Sequence, residues 1–293
     1  AHWFSHGVCA ADLSPNSMRA ALLSLASLTD NVNSLVKMRK RWFCGDSLLA
    51  DPCVWSLMAP NGFDTVIGNP PWEKIKLSRH EFIKASGVMR HYGADTFEID
   101  EKVFQSQREA AIFYSQKLLA RYPIIGGGDP DLYIAFTDLF LELCKSGGTV
   151  AALVPGGLIR SKGTASIRRK IMDSCNATSF SIIDNRAKFF AIDSRFKFLA
   201  IALTKSNGSN TKAAPIHLLH ERGINGGVEI YGSAIIGRRS LSLIRKDLSL
   251  PEVRTSAEWK LFMKISTTGV PWDTPGTGWL PKFCREVDMT KEK

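Results

Sequence analysis

Residues 64–72 read Asp64-Thr65-Val66-Ile67-Gly68-Asn69-Pro70-Pro71-Trp72, a short apolar strand followed at once by Asn, two prolines and Trp. The prolines fix their φ angles and remove two amide donors, so this loop is rigid and presents carbonyl acceptors. Asn69 adds a side-chain carbonyl, and Trp72 adds a flat face on which a base can stack. A planar amine bonded to two such acceptors is pushed toward tetrahedral geometry, which frees its lone pair. The alternative is an ordinary Asn-Pro turn followed by a core Trp.

Short apolar strands alternate with helical patterns on both sides of this loop, which predicts an α/β fold with a mostly parallel sheet. Strands are predicted at residues 8–11, 41–43, 63–67, 149–154, 180–183 and 198–204. Helices are predicted at residues 17–28, 107–122, 132–144 and 164–172, with Gly147 and Gly148 closing the third helix. Ligands bind at the carboxyl ends of such strands, where Asp12, Asp46 and Asn69 stand.

Composition excludes several classes of protein. Hydrophobic residues make up 44% of the 293-residue chain and charged residues 23%, which is typical of a globular protein with a sizeable core. The sequence shows no apolar run long enough to cross a membrane and no signal peptide. The six cysteines form no C-x-x-C pair, so a zinc knuckle is not expected and a reducing, cytoplasmic location is.

Positive charge is concentrated in one part of the chain. The net charge is +10, and residues 160–246 alone hold 16 basic and 5 acidic residues, which accounts for the whole excess. Prominent basic residues of this segment are Arg160, Lys162, Arg168, Arg169, Lys170, Arg186, Lys188, Arg195 and Lys197. Localised positive charge predicts a polyanion as partner, and the alternative is a solvated basic face.

A polar stretch at residues 205–215 interrupts the strand and helix pattern and is typical of a linker. We therefore predict a first domain over residues 1–205 and a second unit over residues 206–293. No internal repeat is visible in the sequence.

The motif Asn69-Pro70-Pro71-Trp72 resembles the Asn-Pro-Pro-aromatic motif of S-adenosylmethionine-dependent, adenine-specific (N6) DNA methyltransferases. Several further segments are similar to the large type IIG restriction–modification and phage-defence methylases. They are residues 69–77, Tyr122-Pro123, residues 127–133 with Phe136, Gly147-Gly148, Val154-Pro155, Asp184-Asn185-Arg186 and residues 192–198. The resemblance covers residues 8–204 in order. It implies a Rossmann-like class I methyltransferase sheet of seven strands whose last pair is antiparallel, followed by the start of a target-recognition region.

The resemblance also implies roles for individual residues. Asn69, Pro70, Pro71 and Trp72 would form the catalytic loop, with Trp72 against the flipped base. Asp12 would bind the ribose hydroxyls of the cofactor, and Asp46 the exocyclic amine of its adenine. Both carboxylates have an alternative role as caps of a helix or turn.

Two other assignments concern the nucleic acid. Phe196 would be the second aromatic side chain on the flipped base, with core packing beside Phe198 as the alternative. The basic segment would contact the DNA backbone through Arg168, Arg169 and Lys170.

One family feature is absent from the sequence. The glycine-rich turn after the first family strand, Phe-x-Gly-x-Gly, has no counterpart before Asp12, and the chain begins with Ala1 rather than Met. We therefore expect an N-terminally truncated chain that lacks the central first strand. The strands ending at Asp12 and Asn69 would then have no common partner, and residues 1–293 alone would not bind S-adenosylmethionine at micromolar concentration.

The sequence thus predicts a site-specific DNA adenine methyltransferase of a restriction–modification or phage-defence system. Its cofactor would be S-adenosylmethionine, its partner double-stranded DNA, and a fused or partner nuclease outside this chain is compatible with the family. No metal and no membrane are expected. The alternatives are an RNA or protein-glutamine methyltransferase, and a non-catalytic DNA-binding remnant, which the missing glycine motif would favour.

Overall fold

The computed structural model describes residues 5–29, 31–75, 101–126, 131–208, 211–224 and 227–270. Parts of the resemblance, residues 76–77 and 127–130, and the last part of the expected second unit, residues 271–293, lie outside this range. The strands are β1 (Ala10–Asp12), β2 (Trp42–Cys44), β3 (Phe63–Gly68), β4 (Cys144–Pro155), β5 (Cys175–Asp184), β6 (Lys197–Lys205), β7 (Pro215–Ile224) and β8 (Gly227–Gly237).

The helices surround these strands. They are α1 (Pro15–Ala26), α2 (Val32–Arg39), α3 (Pro52–Met58), α4 (Glu101–Arg121), α5 (Leu132–Leu143), α6 (Gly157–Arg160), α7 (Ala165–Ser174), α8 (Arg238–Ile244) and α9 (Ser256–Thr268). Side-chain caps set several of their starts: Ser14 accepts from Ser17 N before α1, and Asp51 accepts from Cys53 N before α3. A proline opens each of these two helices, as its fixed φ favours.

The described strands form two sheets and confirm the predicted α/β class. β1 and β2 pair in parallel as a separate two-stranded sheet. The other six strands lie in the order β3-β4-β6-β5-β7-β8. β6 is antiparallel to both β4 and β5, which agrees with the antiparallel pair that the family resemblance implies.

A single seven-stranded sheet is not formed by the described residues. β3 is the end strand of the larger sheet, and no described strand pairs with both β1 and β3. One edge of β3 therefore has no ladder partner among the described strands, and this edge faces the cavity between β3 and β1.

One edge of the larger sheet gathers the segments that the sequence singles out. β3 and β4 are parallel, with Gly68 opposite Ala152, so both strands end at the same edge. The antiparallel β6 begins there, with Phe198 opposite Pro155, and β5 ends there, with Asp184 opposite Lys197. The loop after β3 and the loop between β5 and β6 are consequently neighbours.

Strands on both sides of the boundary predicted between residues 205 and 206 belong to the larger sheet. β7 pairs in parallel with β5, and β8 follows it in the same sheet. Leu241 and Trp259 belong to the same hydrophobic core as the earlier strands and helices. β5 pairs with β6 along one edge, and β7 supplies the backbone hydrogen bonds along the other edge.

One local expectation, at the end of α5, needs revision. Gly147 and Gly148 do not close α5, because the helix ends at Leu143 and both glycines lie in β4. β7 and β8 were not predicted from the sequence pattern. No helix within the described ranges is both long and apolar enough to cross a membrane.

Candidate active site

A cavity of about 580 Å³ opens between the two sheets. Its wall includes Asp12 and Asp46 from the smaller sheet, and Asn69, Pro70 and Pro71 from the loop after β3. Apolar side chains of α5 and α3 complete much of the remaining wall: Leu132, Phe136, Leu139, Phe140, Leu143, Trp55 and Met58. The structure therefore brings together five of the six residues predicted for cofactor binding and catalysis.

Asp12 lies at the end of β1, exposed to solvent at the cavity wall. One carboxylate oxygen, Oδ1, accepts a hydrogen bond of 2.7 Å from the amide of Ser14. The N-cap of α1 is Ser14 rather than Asp12, so the expected alternative role of Asp12 as this cap is not observed. Its second oxygen keeps its acceptor capacity for a ligand.

Asp46 stands next to Asp12 because the ladder of β1 and β2 continues one residue further, with Gly45 N donating to Asp12 O at 3.0 Å. Its Oδ1 accepts from the amides of Leu48 and Leu49 at 2.9 and 3.3 Å, so it does cap a turn. This turn is anchored in the core, since Leu48 is fully buried and its carbonyl accepts from the Tyr122 hydroxyl at 3.0 Å.

Tyr114 is a cavity residue that sequence reasoning missed. It comes from the middle of α4 and lines the same wall as Asp46. Burial raises the pKa of Tyr114, and the neighbouring Asp46 carboxylate raises it further. The phenol therefore stays protonated beside Asp46. The position of Tyr114 in the predicted helix does not indicate a role at the cavity, because only the tertiary fold brings α4 close to the end of β2.

The loop after β3 is set by close packing at its start. A Cβ on Gly68 would lie 2.5 Å from the Phe140 ring, so a side chain at this position would force the ring to move. Pro70 is buried, whereas Asn69 and Pro71 are exposed at the cavity. No described residue hydrogen-bonds the Asn69 side chain, which leaves its amide free to meet a ligand.

Trp72 lies on the other side of the same loop, packed into an aromatic cluster. Its ring centroid is 4.7 Å from that of Phe190 and 5.9 Å from that of Phe198. The indole Nε1 donates to Leu153 O at 3.3 Å, which ties the ring to β4. Trp72 remains half-buried, so it combines a structural contact with an accessible part.

Phe196 does not join this cluster. Its side chain is 62% exposed, and within the described ranges no ring contact involves it. The aromatic residue that the β5–β6 loop places against Trp72 is Phe190. Phe190 and Phe196 lie in the same apolar, basic loop, and their spacing in the sequence alone does not show which of them contacts Trp72.

The three cations predicted to hold the DNA backbone are differently placed. Arg168 is fully buried, and its guanidinium donates to Asp247 O, Leu158 O, Ser161 O and the Thr164 hydroxyl at 2.5–3.0 Å. A buried guanidinium saturated by carbonyls cannot reach a phosphate, so this prediction is wrong for Arg168.

The other two cations lie nearer the surface. Lys170 forms ion pairs with Asp138 and Glu142, which occupy its ammonium group. Arg169 is exposed and donates to Lys246 O at 3.1 Å. Of the three, only Arg169 presents a cation without an acidic partner among the described residues.

Nothing in the described ranges forms a metal-binding group of three or more His, Cys, Asp or Glu side chains. The polar side chains at the cavity include two carboxylates, an amide, a phenol, a thiol and the hydroxyls of Ser47 and Thr65. This set suits an organic ligand with hydroxyl and amine donors.

A family model described as Eco57I restriction-modification methylase matches residues 11–190. This range contains Asp12, Asp46, the loop after β3 and Phe190. No curated protein sequence matches the chain significantly.

Several solved structures are similar to part of this chain. The ATP-dependent Type ISP restriction-modification enzyme LlaBIII bound to DNA is 12% identical, with 75% of this chain and 15% of that chain covered and a TM-score of 0.45. The EcoKI M protein of a Type I restriction enzyme is 16% identical over 73% and 35% of the two chains, with a TM-score of 0.41.

A modification subunit of a putative type I restriction enzyme from Vibrio vulnificus is 14% identical over 91% and 50% of the chains, with a TM-score of 0.39. This chain therefore spans half or less of the length of each of these proteins. At these identities and TM-scores the likenesses identify no activity.

Proposed function

Since the chain belongs to the Eco57I restriction-modification methylase family, we propose that it methylates DNA at the exocyclic amine of a flipped adenine, with S-adenosylmethionine as methyl donor. The observation that carries this proposal is the shared cavity. Asp12, Asp46 and the Asn69-Pro70-Pro71 loop come from three separate strand ends and line one space of about 580 Å³.

The residues at the cavity fit an adenosine-type cofactor. Asp12 would accept from the ribose hydroxyls through the carboxylate oxygen that Ser14 does not use. Asp46 would accept from the amine of the cofactor's adenine, since a carboxylate offers about four acceptor positions and the turn uses only part of them. When bound, S-adenosylmethionine supplies an electrophilic methyl group on a positively charged sulfur.

The Asn69 loop would prepare the target amine. Asn69 has an unengaged side-chain carbonyl, and the two prolines leave backbone carbonyls without competing amide donors. Accepting both amine hydrogens at once draws the nitrogen out of conjugation with its ring and localises the lone pair. These hydrogen bonds strengthen as positive charge develops on the nitrogen, so they stabilise the transition state more than the bound substrate.

The aromatic cluster would hold the extruded base beside Asn69. Trp72 follows Asn69 by three residues, and its half-buried ring is fixed by Phe190, Phe198 and Leu153 O. A rigid ring of this kind offers stacking without a large loss of side-chain entropy. Base extrusion is the step that such a pocket serves.

Replacing Trp72 tests this stacking. We expect Trp72→Ala to weaken capture of the extruded base by about 1–3 kcal/mol, the range for base–aromatic stacking. Trp72→Phe retains a ring and should have a much smaller effect. Fluorescence of 2-aminopurine at the target position measures extrusion directly, and equal signals for Trp72→Ala and the unmodified protein would return Trp72 to a purely structural role.

The DNA backbone contacts are proposed for the β5–β6 loop and its surroundings. The Arg186 and Arg195 side chains are 84% and 89% exposed, and Lys188 is exposed in the same loop. This loop starts and ends at the sheet edge that carries Asn69 and Trp72. Asp193 lies 2.6 Å from the Arg195 guanidinium, whereas Asp184 lies 4.0 Å from that of Arg186, so Arg186 and Lys188 are the stronger candidates for phosphate contact.

Salt dependence of DNA binding tests these cations. Each phosphate contact contributes a slope of about −0.9 to the plot of log affinity against log salt. We expect combined Arg186→Ala and Lys188→Ala to flatten the slope by about that amount per lost contact. Lys170→Ala, whose ammonium already pairs with Asp138 and Glu142, is the matched control and should leave the slope unchanged. The reverse pattern would place the DNA on another face.

The class of substrate is tested by a labelled methyl group. The protein that carries these residues is incubated with methyl-labelled S-adenosylmethionine and with DNA, RNA or glutamine-containing peptides in parallel. We expect label in DNA only. Preferential labelling of RNA or of peptide would overturn the proposal in favour of a different methyl acceptor.

A further inference from the structure

Asn185 is a fully buried amide at the start of an exposed loop. It follows β5 directly, and its exposed fraction is 0%. Around it, residues 186–189 and 191–196 are all exposed. A polar side chain buried inside such a loop needs hydrogen-bond partners to offset its desolvation. The partners of Asn185 show which parts of the loop it holds in place.

The side-chain amide of Asn185 is bound entirely to its own loop. Nδ2 donates to Phe190 O at 2.9 Å and to Ile192 O at 3.1 Å, and Oδ1 accepts from Phe190 N at 3.0 Å. Both amide hydrogens are therefore used. Phe190 is held through its N–H and its C=O at once, which fixes its backbone.

The backbone of Asn185 closes the remaining parts of the loop. Its N–H donates to Phe196 O at 3.1 Å, and its C=O accepts from Lys188 N at 2.9 Å. Lys188 adopts a left-handed conformation with φ 55°, which a residue with a side chain rarely takes without such support. The beginning, middle and end of the loop thus meet at one residue.

The loop is held between two surfaces. On one side the Phe190 ring lies 4.7 Å from Trp72 and 5.0 Å from Phe198. On the other side the loop rests on β7, where a Cβ on Gly223 would lie 2.2 Å from Ala187 Cβ. The backbone of the loop between these two surfaces therefore sets where Phe190 lies relative to Trp72.

We propose that Asn185 is a positioning residue for the target base, because its amide fixes the loop that presses Phe190 against Trp72. The proposal rests on the proposed function, in which Trp72 contacts that base. Asn185 itself touches no reacting atom. It acts through Phe190, which sets the position and tilt of the Trp72 ring beside Asn69.

Asn185→Asp is the sharpest test because the two side chains have the same shape. A carboxylate accepts from Phe190 N as before, but it cannot donate to the carbonyls of Phe190 and Ile192. It would place negative charge about 3 Å from both oxygens. The loop should therefore release Phe190 while the sheet below it stays formed.

The first measurement needs neither DNA nor activity. Tryptophans are replaced by 5-fluorotryptophan, and the ¹⁹F resonance of Trp72 is identified by its loss in Trp72→Phe. We expect Asn185→Asp and Phe190→Ala each to move this resonance, whereas Asp193→Asn, an isosteric change in the same loop, leaves it in place. An unmoved Trp72 resonance in folded Asn185→Asp overturns the proposal, and Asn185→Ser gives the same comparison if Asn185→Asp does not fold.

The second measurement links this contact to the reaction. With the DNA that the unmodified protein methylates, we expect Asn185→Asp to reduce kcat by about 10- to 100-fold, the effect of misplacing a substrate contact, with little change in DNA affinity. In a Phe190→Ala background the same change should cost almost nothing, since both act on one contact. An undiminished cost in that background overturns the proposal. If the unmodified protein methylates no adenine, the proposed function fails, while the ¹⁹F comparison still decides whether Asn185 positions Trp72.

Discussion

Asn69→Ala is expected to lower the rate of methyl transfer by at least about 100-fold while leaving DNA binding in place. Asn69 accepts a hydrogen of the target amine, and this hydrogen bond strengthens as the amine becomes a nucleophile. Loss of the acceptor therefore destabilises mainly the transition state. Nothing in the described fold depends on this amide, since no described residue hydrogen-bonds it and the side chain is exposed at the cavity.

Single-turnover rates with saturating DNA measure this effect without interference from product release. Asn61→Ala is a matched control, because Asn61 is also an exposed Asn beside β3 but does not line the cavity. The control should retain its rate within about twofold. Near-normal adenine methylation by Asn69→Ala would remove the loop after β3 from the chemistry.

Arg168→Ala is expected to produce the largest loss of stability, about 3–5 kcal/mol in the free energy of unfolding. Removing the buried guanidinium leaves several backbone carbonyls without a donor, and each unsatisfied buried polar group costs about 1–3 kcal/mol. The guanidinium joins α6 and α7 to the segment before α9, through Leu158 O and Asp247 O, and Asp247 Oδ2 lies 3.5 Å from it. Without it these acceptors and a cavity remain.

Urea unfolding of Arg168→Ala and of Arg169→Ala compares the loss of a buried cation with the loss of the neighbouring surface cation. Arg169→Ala should change the free energy of unfolding by no more than about 0.5 kcal/mol, as for most surface changes. Both variants should show similar m-values if the native state is intact. A small decrease in the free energy of unfolding of Arg168→Ala would mean that water replaces the guanidinium as hydrogen-bond donor to these carbonyls at little cost.

Asp12, Asp46 and Asn69 could be placed from the sequence because each follows a predicted strand. Parallel strand ends meet at one edge of a sheet, and the structure lines one cavity with all three. The roles of these residues toward a ligand stay predictions. Tyr114 could not be found this way, since only tertiary packing brings α4 to Asp46.

Arg168 was misjudged because net charge does not say which side chains face water. Its position in α7 carried a usable signal: it lies four residues from both Thr164 and Met172, and all three are buried on one helix face. An apolar helix face that contains an Arg is better explained by a buried, hydrogen-bonded guanidinium than by a phosphate contact.

The continuation of the sheet beyond residue 205 was hidden by polar residues. β7 contains His220 and Glu221, which break the apolar pattern although both are buried in the fold. His220 is accommodated because its Nε2 lies 3.0 Å from Val253 O. The polar stretch before β7 is likewise tied down, since Arg238 Nη1 donates to Thr211 O at 2.9 Å.

Phe190 and Phe196 show where pattern reasoning ends. Loops have no periodicity that assigns a side chain to a face, so either residue fitted the sequence. The hydrogen bonds of Asn185 select Phe190 as the partner of Trp72, and these bonds are visible only in three dimensions.

The central claim is that the Asn69 loop directs a methyl group to the amine of adenine in DNA. In the most direct test, DNA is treated with the protein and methyl-labelled S-adenosylmethionine. The DNA is then digested to nucleosides, which are analysed by mass spectrometry. We predict labelled N6-methyl-2′-deoxyadenosine, reduced at least about 100-fold for Asn69→Ala and unchanged for Asn61→Ala. Label on a cytosine, or equal labelling by Asn69→Ala, would contradict the account.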